Sequence, residues 1–507
     1  MALWIGVEAW LVRASAFYCH PIAIAFTIQG CVIQLVLAIG YLVASKTRRK
    51  ELKRIRESEA AGNSLAFLYI NVEDFERSVQ EKLPRVSVIM PIKGIGEHHM
   101  SNWRSQVLSM YGGPVEFIFV AESKQDTAYI AVSKLLLELK GQVQARIICA
   151  GLSTTCSQKI QNQLAGVDAM HKDSKYVLFL DDDVGLHPGA IGNVVSKMEE
   201  NPKIFVLTGY PFDLPKTTLG AYCIYEYHLP CSIGFATTGD RTFFLWGGFM
   251  MMHAEDFRCN RYGMVTGLKN GGYSDDMTLA AVAAANGRMI SSPPQAIFFH
   301  PLSSNLSFSQ YWNYLQKQTI VLETYITSVN YMMNRALFYT HCWLSWGVIF
   351  PTFAALLHIA SILYSSFVSP SLQIDTRTGL VMSICAVLSK LTELSAIRHL
   401  SRAEIDLCNA LSPENPPVSI HSYNWFLIFT ATIVDNFLYP VSAFISTFTQ
   451  HINWSGVDYY FLNGRICKIE RSNKTKGQAS SIFFQKSFHK LLGESFFSQP
   501  FQEKRVD

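Results

Sequence analysis

Residues 22–43, IAIAFTIQGCVIQLVLAIGYLV, carry no charged side chain. A helix crossing a hydrocarbon core needs about 20 such apolar residues. The stretch is followed at once by SKTRRKELKRIR, which holds Lys46, Arg48, Arg49, Lys50, Lys53, Arg54 and Arg56. The positive-inside bias then puts the next domain in the cytosol. A cleaved signal peptide would carry its basic cluster before the apolar run, so the reading is an uncleaved anchor at 1–45 and a basic linker at 46–83. Composition agrees with a membrane protein: 49% of the 507 residues are hydrophobic, 16% are charged, and the mean hydropathy is +0.16. The net charge of +4 is mild and no basic stripe carries interleaved aromatics, which argues against a nucleic-acid partner. Eleven cysteines without a CxxC pair read as reduced thiols.

Further spans are expected at 336–450. Residues 336–374 hold no formal charge, and CWLSWGVIFPTFAALLHIASILYSSFV lies within them. Residues 425–448 form a second candidate, although Asp435 and Pro440 need protein or water beside them, so this helix should be packed or broken. TGLVMSICAVLSKLTELSAI is interrupted by Lys390 and Glu393, whose helical spacing lets them pair. The segment 306–335, rich in Tyr and Trp but too polar to span, reads as a helix lying in the membrane interface. Three spans after a cytosolic domain would leave the segment 451–507 outside, yet KIERSNKTKGQ is basic and reads as cytosolic. Either 425–448 re-enters or one weak span does not cross; glycosylation at the sequons of Asn453 and Asn473 would decide.

Between 84 and 305 the texture is different. The runs VSVIM, VEFIFV, ARIICA, YVLFL and IFVLTG alternate with helix-like DTAYIAVSKLLLELK and AIGNVVSKMEEN. Such alternation predicts an α/β domain with a mostly parallel sheet. Ligands gather at the carboxyl ends of strands in these sheets. There, after YVLFL, stand Asp181, Asp182 and Asp183. Asp181 and Asp183 can share one face of an extended segment while Asp182 points elsewhere. Two adjacent carboxylates repel unless a cation lies between them, and Mg2+ or Mn2+ suits them. A solvated acidic turn is the other reading; an EF-hand is excluded because Gly185 comes one position early and Gly192 stands where an acid is needed.

A second acidic pair, Asp275 and Asp276, opens an Ala-rich helix after a Gly-rich loop. Capping by Ser274 or Asp275 explains it structurally, and an acid held at a helix N-terminus also suits a general base. Glu122 ends another strand, with Asp126 opening the next helix. Lys93 and Lys159 supply cations for phosphates, although most single lysines are merely solvated.

Together, PRVSVIMPIKG, FVAES, QKIQNQ, FLDDDV, LWGGFM, YSDDM and INWSGVDYYFLNGRICK resemble the family-2 glycosyltransferases of GT-A fold. Within them the likeness is to the ceramide glucosyltransferases, the plant members more than the animal ones. The resemblance covers most of the chain and implies transfer of glucose from UDP-glucose to ceramide. It implies a metal-binding D-x-D at Asp181 and Asp183, a catalytic base at Asp276 with Asp275 beside it, and Glu122 near the uridine. Pro91, Lys93 and Lys159 fall on the donor side; Gly247, Gly248 and His228 on the acceptor side. The family's Q/R-x-x-R-W motif is absent: YWNYLQKQTIVLE leaves Gln316 and Lys317 in its place. Trp454 and Arg465 return near the site or act as membrane-edge anchors. The resemblance further implies an integral protein of the endoplasmic reticulum or Golgi with a cytosolic catalytic domain. A polysaccharide synthase, a lipid-phosphate sugar transferase and an inactive membrane scaffold remain as alternatives.

Overall fold

The computed structural model describes residues 2–62, 83–239, 241–370 and 374–471. The later part of the expected linker, 63–82, and the tail from 472 with the Asn473 sequon lie outside the described residues.

The five apolar runs are strands: β1 (Val86–Pro91), β2 (Val115–Ala121), β3 (Ala145–Cys149), β4 (Tyr176–Leu180) and β5 (Ile204–Thr208). β6 (Tyr210–Leu214), β7 (Phe249–His253), β8 (Met289–Ser291) and β9 (Ile297–Pro301) complete the domain. The seven-stranded sheet has the order β3-β2-β1-β4-β7-β5-β8, and only β7 runs antiparallel to its neighbours. β1, β2, β4 and β7 are buried along almost their whole length. Each fully buried Val, Ile or Phe in them contributes about 1.5–3 kcal/mol. Helices α3 (His99–Val107), α4 (Thr127–Glu138), α5 (Gln158–Ala169) and α6 (Ala190–Glu200) flank the sheet. The chain builds β2 and β3 on one side of β1, then returns to place β4 on the other. This reversal opens a crevice at the carboxyl ends of β1 and β4.

Further elements extend the domain, some of them towards the long apolar helices. α7 (Leu219–Thr237) precedes β7, and α8 (Asp275–Ala285) carries the second acidic pair. β6 and β9 form a separate parallel pair with Asp213 opposite His300. A last antiparallel sheet consists of β10 (His451–Trp454), β11 (Val457–Leu462) and β12 (Arg465–Arg471). All eleven cysteines are free.

An N-terminal helix α1 (Ala2–Tyr18) precedes α2 (Pro21–Ala60), which runs unbroken through the basic stretch expected as a linker. A helix continuing into the domain can bury basic residues: Arg48 is fully enclosed and donates to the Pro294 carbonyl. The segment expected as one interfacial helix is two helices, α9 (Phe308–Val321) and the start of α10 (Ser328–Phe367), separated by residues 322–327. α9 packs between α7 and the helix over 425–448, which buries its Tyr311, Trp312 and Leu315. α11 (Thr376–Leu411) contains the weak span, and its Lys390 and Glu393 form a buried pair at 2.9 Å, as their spacing predicted. α12 (Trp425–Phe448) is continuous through Pro440 and packed rather than broken: Asp435 is 2% exposed and accepts a 2.7 Å hydrogen bond from Tyr311. α2, α10, α11 and α12 are each long and apolar enough to cross a membrane.

Candidate active site

β4 ends at Leu180, and the next three residues are the aspartates. Gln106 on α3 donates to the Asp181 and Val184 carbonyls, both at 2.8 Å, which fixes the turn from beneath. Asp182 is directed across the crevice, where its carboxylate accepts from the Lys93 backbone N–H at 3.4 Å. Asp181 and Asp183 meet different cations. Asp181 faces Lys159 Nζ at 2.8 Å, and Asp183 faces His300 Nε2 at 3.3 Å.

Lys159 is the hub of the arrangement. From α5 it also reaches Asp275 at 3.1 Å and the Gly247 carbonyl at 3.1 Å. Burial opposes its charge, but the carboxylates of Asp181 and Asp275 hold its pKa above the ordinary lysine value. The lysine expected to meet phosphates therefore already binds two carboxylates.

Ser274 caps α8 and places both acids. Asp275 accepts from Gln163 at 2.5 Å and is 5% exposed. Asp276 accepts from the Ser274 hydroxyl, from the Met277 N–H at 2.7 Å and from the Gly247 N–H at 3.2 Å. Burial and then Asp275 raise the Asp276 pKa. Gly247 lies against both acids: a Cβ there would stand 3.0 Å from the Asp275 carboxylate and 3.2 Å from that of Asp276. Gly248 has a different reason to be small, since its Cβ would strike the Trp246 ring at 2.2 Å.

At the other end of the crevice, Pro91 closes β1, and Lys93 pairs with Glu122 at 2.9 Å. Asp126 caps α4 and accepts from the Gly94 N–H at 2.8 Å. His228 Nδ1 contacts Asp213 at 2.7 Å and its Nε2 contacts the Tyr314 hydroxyl at 2.7 Å. Asp213 also contacts His300 Nδ1 at 2.5 Å. A continuous chain of bonds thus runs Asp183, His300, Asp213, His228, Tyr314. Burial opposes charge on His300, but Asp183 and Asp213 hold its pKa well above the usual histidine range. Asp213, His228 and His300 present three possible metal-ligand atoms within 4.8 Å of one another. Their hydrogen bonds to one another, to Asp183 and to Tyr314 satisfy them without an ion.

Lys317 on α9 lies over the Trp454 ring, with Nζ 4.2 Å from its centroid. Burial and then Lys159 lower its pKa against the opposing pull of Asp181, Asp276 and Asp183, so it faces the acid cluster. Gln316 is buried on the same helix. Arg465 bonds to the Asn270 carbonyl at 2.8 Å, on the loop before α8.

The donors suit a hard divalent ion. Carboxylate oxygens of Asp181, Asp182, Asp183, Asp275 and Asp276 outnumber the nearby cations. Burial first, with neighbouring acids adding to it, pushes the Asp181 pKa up to about 6 and that of Asp182 well above the ordinary value. Such uncompensated charge is what Mg2+ or Mn2+ relieves.

Sequence reasoning missed Asp213, His300, Tyr314 and Gln163. His300 and Asp213 each stand in a short β-run, and only the β6–β9 register makes them neighbours; no local pattern marks them.

A model of glycosyl transferase family 21 matches residues 60–228, about a third of the chain, rather than the family 2 named from the motifs. The match includes Lys93, Glu122, Lys159, Asp181, Asp183 and His228, and ends before Gly247, Asp275 and Asp276. Among solved structures, the chain is similar to the mannosyltransferase PcManGT from Pyrobaculum calidifontis in complex with GDP-Man and Mn2+. The identity is 13% and the TM-score 0.37, over 72% of this chain and 99% of that one.

Proposed function

We propose that the protein is an inverting glucosyltransferase that moves glucose from UDP-glucose to the primary hydroxyl of ceramide. The family-21 match supports glycosyl transfer, and that family is the one of the ceramide glucosyltransferases. The single observation that carries the reading is the meeting of Asp181, from a strand end, with Asp275 and Asp276, from a helix start, around Lys159 and the bare Gly247.

In this reading Glu122, Lys93 and Pro91 flank the nucleotide. Asp181 and Asp183 would hold Mg2+ or Mn2+, which when bound stabilises negative charge on departing diphosphate. Asp276 is the base. It is fixed by three donors, forms no ion pair with a lysine among the described residues, and has a raised proton affinity suited to receiving a proton. The acceptor oxygen bonds to the anomeric carbon as the bond to the phosphate oxygen breaks, and its proton passes to Asp276. Asp275 and Lys159 hold the neighbouring charges in place. Lys317 lies where cationic charge can meet the diphosphate. Gly247 leaves the acid pair open to the acceptor, and His228 with Tyr314 borders that side. Ceramide does not diffuse freely through water, so a cleft beside membrane helices suits it. The basic half of α2 supports a cytosolic domain, in the endoplasmic reticulum or Golgi.

The test is incubation of membranes containing the protein with labelled UDP-glucose and short-chain ceramide. Glucosylceramide should form, and Asp276→Asn should lower turnover by about 10²–10⁴-fold while UDP binding persists. Full activity of that variant would remove Asp276 as base; exclusive formation of long polymer would replace the acceptor with a growing polysaccharide.

A further inference from the structure

The outer surface of α12 is a row of phenylalanines that no other part of the described protein covers. Phe426, Phe437, Phe444 and Phe448 are 74%, 49%, 61% and 74% exposed. Its inner face carries the polar groups instead: Asp435 bonds to Tyr311 at 2.7 Å, Ser442 contacts Thr319 at 2.9 Å, and both partners belong to α9. α11 sorts its faces in the same way, with Lys390 and Glu393 buried and Leu380, Val381 and Ile384 exposed, so this pattern marks contact with lipid and leaves the direction of the helix to its ends.

The ends of the helix are decisive. At its start, the Asn424 N–H donates to the Tyr222 hydroxyl at 2.7 Å, and the Tyr423 hydroxyl donates to the Asp213 carbonyl at 3.1 Å. Both partners belong to the α/β side of the protein. Only Thr449 and Gln450 separate the other end from β10. The sheet that follows is bound to the same domain: the Ile466 N–H donates to the Gly271 carbonyl at 2.9 Å, Arg471 donates to the Ser153 carbonyl at 2.9 Å, and the Gln158 N–H donates to the Tyr459 hydroxyl at 3.2 Å. A crossing would carry the chain through about 30 Å of hydrocarbon, whereas two residues reach back at most about 7 Å.

We propose that α12 lies along the membrane leaflet facing the catalytic domain, with its phenylalanine row in the lipid, and that only α2, α10 and α11 cross. The lipid is the occupant because α10, which packs against α12, likewise exposes the apolar side chains of Val329, Met332 and Tyr339. α11 ends on the domain side, since the Ser232 hydroxyl of α7 donates to Glu404. Three crossings then return the basic tail to the side of the basic half of α2, as the positive-inside bias requires. α9, covered by α12, contacts the leaflet through it.

The test uses the full chain with one epitope at a time in the loop at 413–416, in the loop at 369–372, or at the C-terminus, in cells whose plasma membrane alone is permeabilised. Antibody should reach the 413–416 and C-terminal epitopes and should reach the 369–372 epitope only after the internal membranes are opened. A C-terminal epitope on the opposite side from 413–416 would overturn the proposal. A photo-crosslinking phenylalanine analogue at 444 should add the mass of one phospholipid; crosslinking to a second protein chain would overturn the assignment of lipid to this face.

Discussion

Lys317 Nζ stands 4.2 Å from the ring centroid of Trp454, so a cation of α9 is held by an aromatic from the C-terminal sheet. Among the described residues no carboxylate forms an ion pair with Lys317. The ring therefore orients the charge without neutralising it, and leaves it available to a bound anion. Trp454→Ala should lower kcat/KM for the sugar nucleotide by about 2- to 30-fold, from the 0.5–2 kcal/mol typical of such contacts. Trp454→Phe should retain most of the activity. Steady-state kinetics on purified protein with an unchanged thermal midpoint checks this.

Lys159 balances Asp181 and Asp275. Lys159→Met leaves these carboxylates without their cation, so the site should attract a divalent ion more strongly while its geometry suffers. Mn2+ binding, followed by electron paramagnetic resonance, should shift to lower concentration as kcat falls by about tenfold or more.

The two adjacent glycines should respond differently. Gly247→Ala pushes a methyl against the Asp275 and Asp276 carboxylates. Displacing catalytic groups by a fraction of an ångström to one ångström should lower kcat by about 10- to 100-fold with little change in stability. Gly248→Ala instead drives a methyl into the Trp246 ring, and overpacking of this kind costs about 1–3 kcal/mol. Its effect should be read first in the thermal midpoint.

His187 ties the aspartate turn to the end of α11: its ring contacts the Ser412 hydroxyl and the Ile297 carbonyl, each at 2.5 Å. Burial pulls its pKa down to about 4, against about 6.5 when unfolded. Between these values the unfolded state binds more protons, so stability is complete above about pH 6.5 and falls as the pH drops towards 4. The effect of this group is about 3 kcal/mol. Between about pH 6.5 and 4 the thermal midpoint of detergent-solubilised protein should shift less favourably in the wild type than in His187→Gln, a comparison in which the raised aspartates act equally on both.

Strand texture, the acids at strand ends, the Ser274 cap and the Lys390–Glu393 pair were all legible in the chain, because each depends on residues within a turn or a strand of one another. Gly247 was legible as a small residue, but its contact with Asp276 was not. The antiparallel β7 was not legible either, since a buried apolar strand reads the same in both directions.

Local periodicity and charge spacing determined that this chain builds a mostly parallel sheet, sets aspartates at its carboxyl edge and carries helices able to enter a membrane. Tertiary structure alone decided which cation each aspartate meets, that Asp213 faces His300, that Trp454 returns over Lys317 and that both ends of α12 rest on one domain. These partners are far apart in sequence, and only strand register and helix docking bring them within bonding distance.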